Sequence, residues 1–301
     1  MKPPSGPDNG AAGEFALPSP FMTEFPSGPA SGGEPARRGG EATQVGLLIV
    51  NADDWGRDRE TTERTLECFN QGAVSSVSAM VFMEDSERAA AIALERGIDT
   101  GLHLNLTTPF AAPNSPARLI ERQRELARYL LRHRLAPVVF HPGLVRSFEY
   151  VVAAQRQEFS RLYRAEPERV DGHHHMHLCA NVLLGGLLPR GTLVRRNFSF
   201  QRGERSFFNR LYRQVVDRVL ARQHGIVDFF FSLVPVDPPS RLSRIFSLAR
   251  HFIVEVETHP AHPVEYRFLT GGDIFRQTGD VRIAPASVGA KRGRRRKGAD
   301  R

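Results

Sequence analysis

Short apolar runs alternate with amphipathic helical patterns along most of the chain. Residues 45–50 form a nearly continuous apolar run that ends in Asn-Ala-Asp-Asp, as a buried parallel strand would, and residues 61–70 follow with helical spacing. The same criteria predict further strands over residues 74–82, 98–106, 169–172, 192–194, 226–231 and 252–257. Further helices are predicted over residues 84–96, 116–133 and 142–164.

Strands that alternate with helices predict a mostly parallel sheet whose outer face is covered by helices. We expect an α/β fold that closes as an irregular (β/α) barrel, similar to a TIM barrel, with one catalytic domain over residues 45–287. Residues 1–44 are rich in Pro and Gly and lack apolar periodicity, which predicts a disordered segment. Residues 288–301 form a basic tail that is also expected to be disordered.

The charge of the chain is concentrated at one end. The formal net charge is +8, but residues 291–301 alone carry seven Lys or Arg against one Asp, so the remainder is only mildly basic. Cys68 and Cys179 form no recognisable disulfide or metal-binding pair, which favours a reducing cytoplasm. No run of about 18 apolar residues is present, so no membrane insertion is expected.

A first candidate for chemistry is His103. In Gly-Leu-His-Leu-Asn-Leu, residues 101–106, the three leucines share one face of the predicted strand, and His103 shares the other face with Asn105. A lone histidine in this position is more often a hydrogen-bonded core residue than a ligand. Other ligand-type residues at neighbouring strand ends favour the metal-binding interpretation.

Such residues follow the strand at 169–172. If the segment is extended, His173, His175 and His177 point one way and His174 the other, so that one strand end offers several imidazoles. A fortuitous His-rich turn is the alternative, although His-rich tracts typically bind metal.

Two adjacent carboxylates, Asp53 and Asp54, directly follow the first strand. Alone, such a pair usually marks a solvated turn. One carboxylate and two imidazoles would leave open coordination positions, as in catalytic metal centres, and the second carboxylate could then take a proton from water.

The last strand leads into Thr-His-Pro, where His259 either donates a proton to a leaving amine or is a surface loop histidine. Trp55 and Phe110 either stack on a sugar ring or belong to the core.

Four motifs in this order resemble a known family. They are Asn-Ala-Asp-Asp-Trp-Gly at 51–56, Gly-Leu-His-Leu at 101–104, Val-Asp-Gly-His-His-His-Met-His at 170–177 and Glu-Thr-His-Pro at 257–260. They resemble the YdjC-like carbohydrate deacetylases, which include chitooligosaccharide deacetylases and hopanoid-associated deacetylases. The resemblance runs from about residue 45 to 273 and implies the irregular (β/α) barrel.

The resemblance implies roles for individual residues. Asp54, His103 and His173 would hold a metal, Asp53 would be the general base, and His259 the acid. Arg195 would orient Asp53 or bind substrate. The remaining residues that we expect to bind substrate or to support the ligands are Asp171, His175, His177 and Trp55.

The resemblance favours Mg²⁺, whereas two imidazoles and a carboxylate also suit Zn²⁺. It implies hydrolysis of the N-acetyl group of a chitooligosaccharide or an N-acetylglucosaminyl glycolipid, with release of acetate. Residues 108–144 and 198–251 show no family motif, so the sugar stays open.

Two alternatives remain. The same ligands suit hydrolysis of another amide or ester, such as a phosphoester, and the basic tail suits a nucleic-acid binder, a less favoured interpretation because the charge is terminal. The resemblance allows a homodimer, but no heptad or sustained apolar surface stripe is evident in the sequence.

Overall fold

The computed structural model describes residues 46–199 and 207–289. The predicted disordered segment 1–44 and the basic residues from 290 onward lie outside these ranges. Within them the chain folds around one parallel sheet, as the alternation of strands and helices predicts. Its strands are β1 (Leu47–Trp55), β2 (Ser76–Ala79), β3 (Thr100–Leu104), β4 (Arg169–Gly172), β5 (Leu193–Val194), β6 (Phe229–Ser232) and β7 (Ile253–Thr258).

The sheet has the order β5-β4-β3-β2-β1-β7-β6, and all the pairings between these strands are parallel. The edge strands are β5 and β6, and the segment that includes β5 meets the segment that leads into β6. The Val194 amide donates to the Gly225 carbonyl at 2.8 Å, and the Ser199 amide donates to the Phe230 carbonyl at 2.7 Å. These bonds close the sheet irregularly, which confirms the predicted α/β barrel.

Helices surround the sheet. They are α1 (Arg59–Asn70), α2 (Ser86–Arg96), α3 (Ala117–Leu130), α4 (Val145–Tyr163), α5 (Ala180–Leu184), α6 (Phe207–Gln223), α7 (Pro239–Leu248), α8 (Pro263–Thr270) and α9 (Asp273–Thr278). The start of α1 is fixed by Asp58, whose side chain accepts from the Thr61 amide, and α2 ends at Gly97 with φ 63°. The helices from α5 onward were not predicted from the sequence.

Alternation along β1 gives the barrel two different faces. Leu48, Val50 and Ala52 join the large core beneath the helices, whereas Leu47 and Ile49 join a smaller cluster inside the barrel. The next inward positions are polar, Asn51 and then Asp53. Apolar residues therefore fill one end of the barrel, and polar residues line the carboxyl end of the strands.

The inward positions of β3 and β4 fit together closely. A Cβ on Gly101 would lie 2.8 Å from the guanidinium carbon of Arg169, so only glycine leaves room for that side chain. Arg169 then reaches the Val77 carbonyl at 2.7 Å and Ser78 Oγ at 2.9 Å. A buried arginine thus supports the polar end of the barrel from below.

None of the described helices is long and apolar enough to cross a bilayer. The helix α6 differs from what the sequence suggests, because it carries a stripe of exposed apolar side chains where no sustained apolar surface stripe was expected.

Candidate metal centre

Three side chains from three strand ends converge at the carboxyl end of the barrel. Asp54 is in β1, His103 is in β3, and His173 follows β4; one ligand-type atom from each lies within 4.8 Å of the other two. Asp54 has a positive φ of 64°, and the pairing of β1 with β2 shifts register between Ala52 and Trp55. This local irregularity allows both neighbouring aspartates to reach the site.

The ring of His103 is fixed with one nitrogen toward the cluster. Its Nδ1 lies 2.7 Å from Asp171 Oδ1, so Nδ1 carries a hydrogen and donates it to the carboxylate. Its Nε2 is buried, has no hydrogen-bond partner among the described residues, and lies 3.4 Å from Asp54 Oδ1. A histidine whose second nitrogen is held by a carboxylate is the usual arrangement of a metal ligand.

The surroundings of His103 are strongly anionic. Burial lowers the pKa of this imidazole, but Asp53, Asp171 and Asp54 outweigh burial and raise the pKa to about 10. The same position therefore attracts either a proton or a metal cation. The donor atoms present, two imidazole nitrogens and one carboxylate oxygen, fit a divalent cation.

Asp54 links the two histidines. Its Oδ1 lies 2.8 Å from His173 Nδ1, and its Oδ2 accepts from Arg57 Nη1 at 2.7 Å. Burial raises the pKa of Asp54, yet the neighbouring imidazoles of His103 and His173 lower it well below its usual range. Asp54 is therefore ionised and can act as an anionic ligand.

Asp53 is oriented by a different group, Arg195. The two guanidinium nitrogens of Arg195 donate to the two oxygens of Asp53 at 2.6 and 2.8 Å, and Asn51 Nδ2 donates to Oδ1 at 2.7 Å. Burial raises the pKa of Asp53, but Arg195 and His103 together lower it by more, so the net shift of the pKa is downward. The carboxylate is held in a fixed orientation, with Oδ2 4.0 Å from His103 Nε2.

Arg195 is almost fully buried and contacts three further carboxylates. It lies 3.1 Å from Asp171, 2.8 Å from Glu255 and 3.4 Å from Glu257. The two glutamates were not identified from the sequence. A signal was present, since β7 reads Ile-Val-Glu-Val-Glu-Thr and places both glutamates on its inward face.

The histidine-rich segment is not extended, so the expectation that His173, His175 and His177 share one direction is wrong. Residues His173–Leu178 form a 3₁₀ turn in which His174 and His175 have φ values of 53° and 56°. Left-handed backbone at two successive residues turns each ring in a different direction.

The later histidines consequently have separate environments. His174 Nδ1 lies 3.0 Å from Thr107 Oγ1. His175 Nε2 lies 3.6 Å from Glu257, and its ring packs edge-on against Phe198. His177 is fully buried and donates from Nε2 to the Arg195 carbonyl at 2.9 Å. His177 thus supports the backbone of the arginine that holds Asp53.

His259 lies at the end of β7, and its side chain is 39% exposed. Its amide donates to Glu265 at 2.8 Å, and its Nδ1 lies 3.8 Å from the same carboxylate. Burial lowers the pKa of His259, but Glu265 and then Asp53 and Glu257 raise it to about 10. The imidazole is therefore protonated at neutral pH.

The aromatic residues considered for sugar stacking lie in the core. Trp55 has no exposed surface and belongs to the main hydrophobic cluster, and Phe110 is 8% exposed and packs against Phe82. The register shift that directs Asp53 and Asp54 to the site leaves Trp55 among apolar residues. The expected stacking of Trp55 on a sugar is thus not available in this structure.

Comparison with known proteins agrees with this architecture. An aligned stretch of 137 residues is 35% identical to the chitooligosaccharide deacetylase of Proteus mirabilis (strain HI4320), covering 45% of this chain and 52% of that protein. The chitooligosaccharide deacetylase of Serratia marcescens is 34% identical over 139 residues, 44% of this chain and 51% of that protein. The chain spans about half the length of these curated relatives.

A solved structure from Enterococcus faecalis V583, named as a candidate cellobiose-phosphate cleavage protein, has a TM-score of 0.56. It covers 80% of this chain and 97% of its own, and at 18% identity the likeness concerns the fold alone. The family model described as YdjC-like protein matches residues 47–281, which are 235 of the 301 residues. The chain therefore belongs to the YdjC-like protein family.

Proposed function

We propose that this protein is a metal-dependent carbohydrate deacetylase, which hydrolyses the N-acetyl group of an N-acetylated sugar and releases acetate. The observation that carries the proposal is the buried Nε2 of His103, which has no hydrogen-bond partner among the described residues and faces Asp54. Family membership and the names of the Proteus and Serratia relatives support the same reaction, with chitooligosaccharides as the first substrates to test.

In this proposal Asp54, His103 and His173 would hold a divalent cation, which would supply Lewis acidity for the hydrolysis. Asp171 fixes the ring of His103 so that Nε2 faces the cluster. Imidazole ligands suit Zn²⁺ and other transition metals, whereas the family resemblance favours Mg²⁺, so the metal is to be determined by experiment.

Asp53 is the proposed general base. Its lowered pKa keeps it ionised, and the paired hydrogen bonds from Arg195 hold its carboxylate in place to accept a proton from the attacking water. Because Arg195 engages both oxygens, rotation of the carboxylate away from the site would break two charge-assisted hydrogen bonds. Arg195 is thus a positioning residue for Asp53.

His259 is the proposed acid. Its raised pKa keeps the imidazole protonated at neutral pH, and its partly exposed position at the end of β7 allows contact with a substrate. Cleavage of the amide bond transfers this proton to the departing amine, which leaves as the amino sugar while the acetyl carbon takes the water oxygen and leaves as acetate.

The test measures acetate released from N-acetylated chitooligosaccharides and N-acetylglucosaminyl glycolipids by protein treated with chelator and then supplied with Zn²⁺, Mg²⁺, Mn²⁺ or Co²⁺. Bound metal is quantified in the same samples, and phosphate release from phosphoesters tests the rival reaction. Asp99→Asn is the matched control, because this carboxylate bonds Ser76 and the Ala286 amide just before β3 begins, at the opposite end of the barrel. Stoichiometric metal binding without acetate release from any of these substrates would contradict the proposal.

A further inference from the structure

The outer helix α6 has an unusual distribution of side chains. Of its 17 residues only Val216, Asp217 and Leu220 are buried. Six large apolar side chains are exposed: Phe207 65%, Phe208 80%, Leu211 43%, Tyr212 41%, Val215 49% and Val219 38%. At 100° per residue these six fall within an arc of roughly 140° on the side facing away from the barrel. The stripe is therefore one continuous face, which we call the α6 face.

The helix is held to the barrel by polar contacts at its inner side. Asp217 forms an ion pair with Arg196 at 2.7 Å and accepts from the Asn197 amide at 3.0 Å. These contacts fix the rotation of α6, so exposure of the α6 face is a consequence of how the helix is anchored.

The charge on α6 has one sign at its surface. The helix contains four arginines, Arg210, Arg213, Arg218 and Arg222, and its single acidic residue is the buried Asp217. By helical geometry Arg218 and Arg222 lie within the arc of the apolar side chains, toward the end of the helix. An apolar stripe accompanied by arginines, with no exposed acid on the helix, is the pattern of helices that lie in a membrane interface.

The apolar stripe and the arginines of α6 favour one of two possible occupants of the α6 face, a second copy of the chain or a lipid bilayer. A second copy of the chain would bring its own α6 face, which has no acidic side chain to pair with these arginines. An anionic bilayer complements both features, because its acyl boundary accepts the aromatic and aliphatic side chains and its headgroups bind guanidinium ions. We propose that the α6 face is a docking surface for an anionic lipid bilayer, on which the helix lies parallel to the membrane plane.

The position of α6 relates this surface to the candidate metal centre. Arg213 donates to Asn197 Oδ1 at 3.4 Å, and Asn197 lies two residues beyond Arg195. The inner side of α6 therefore lies next to the segment that supplies Arg195, and the docking surface is on the opposite side of the same helix. Membrane docking neither requires nor establishes the deacetylase reaction, so the two proposals are tested separately.

The experiment uses the full chain and vesicles of phosphatidylcholine, with or without phosphatidylglycerol, in a co-sedimentation assay. Phe207→Ser combined with Phe208→Ser should weaken binding to the anionic vesicles at least about tenfold, since two large apolar side chains no longer insert. Leu131→Ser with Leu135→Ser is the matched control, because these residues are 58% and 62% exposed at the end of α3 and in the turn that follows. This control should bind as the wild type does.

The basic residues 291–301 are a second source of anionic-lipid binding, and the variants separate the two. If the wild type and the Phe207/Phe208 variant bind equally, the basic residues account for binding and the proposal is overturned. Equal binding to neutral and anionic vesicles, or no binding at all, also overturns it. A dimer that the same double substitution dissociates, without vesicle binding, would identify a second copy as the occupant instead. Unchanged circular dichroism of each variant verifies that the exposed substitutions leave the fold intact.

Discussion

Replacement of Arg195 is expected to cause a large loss in the free energy of unfolding. This buried cation contacts four carboxylates within 3.4 Å, those of Asp53, Asp171, Glu255 and Glu257. Arg195→Met retains an apolar chain of similar length, which can still pack against the ring of Phe230 that lies 4.9 Å from the guanidinium carbon. It removes the charge and every hydrogen bond to the carboxylates. Among the described residues, these four buried acids would then keep only Arg169 as a buried guanidinium partner, through Asp171.

Removing one partner of a buried ion pair typically costs about 3–5 kcal/mol, because the remaining charge stays desolvated. Domains of this kind are stable by about 5–15 kcal/mol, so the substitution removes a large part of the free energy of unfolding. For a domain of this size each kcal/mol corresponds to about 2–4 °C, which gives a decrease in Tm of roughly 6–20 °C.

The sign of the pH dependence follows from the carboxylates. In the wild type Arg195 contributes to lowering the pKa values of Asp53 and Asp171 against the effect of burial, so these groups stabilise the fold above about pH 4 and lose that contribution as pH falls. Without the arginine, less of the effect of burial is offset, so the pKa values of both carboxyls rise and their ionised forms stabilise the fold less at neutral pH. The deficit of the variant should therefore be largest at neutral pH and shrink toward pH 4.

Urea unfolding in the presence of a chelator measures this deficit. Trp55 is the single tryptophan and is fully buried, so its fluorescence reports loss of the core. Arg250→Met is the control, because Arg250 pairs with Asp280 at the surface, where such pairs contribute at most about 1 kcal/mol. A deficit below about 1 kcal/mol at pH 7, or one that does not change with pH, would refute the reasoning.

Three further predictions concern the proposed chemistry. Asp53→Asn should abolish acetate release while metal analysis still finds the wild-type content; an active variant would exclude Asp53 as the base. Asp171→Asn should weaken metal binding by about 10–100-fold in a chelator competition assay, since the ring of His103 loses its carboxylate partner; unchanged affinity would contradict that role. His259→Gln should lower kcat by about 10²–10⁴-fold on amides but much less on an activated aryl acetate, whose leaving group needs no proton. The pKa of His259 near 10 predicts that loss of this proton lowers wild-type kcat on the alkaline side, which a pH profile of the metal-loaded protein checks.

The alternation of side chains between the two faces of each strand explains why the sequence predicts the sheet and its inward-facing residues. The same rule that places Leu102 and Leu104 outward places His103 inward, and the order of apolar runs predicts the parallel sheet. The predicted convergence of the Asp53–Asp54 pair, His103 and the histidine-rich segment required only that the strand ends meet at one end of a barrel. The choice of Asp54 and His173 as ligands came from the resemblance to the family.

Irregular backbone conformations explain why the sequence did not predict the directions of several side chains near the site. The left-handed residues His174 and His175 separate side chains that alternation assigns to one face, and no composition rule marks that turn. The register shift in β1 similarly leaves Trp55 in the core. In α6 the pattern was ambiguous, because apolar residues occur on a wide arc and only the anchoring of Asp217 determines which of them face the barrel.

The interior charge of the barrel explains why so many polar groups surround one imidazole. Five buried carboxylates meet two buried guanidinium groups there, with Arg57 a third cation at the half-exposed rim; the acids are Asp53, Asp54, Asp171, Glu255 and Glu257. Such an excess of buried negative charge requires protons or a cation. Burial and the Asp53 charge raise the pKa of Glu257 to about 8, and the carboxylates around His103 raise its pKa to about 10 despite burial. In the proposed metal centre a proton and a divalent cation would compete for His103 Nε2, so metal affinity should decrease as pH falls. Asp171, Glu255 and Glu257 would thus act on the proposed centre through their negative charge, which a bound cation would partly neutralise.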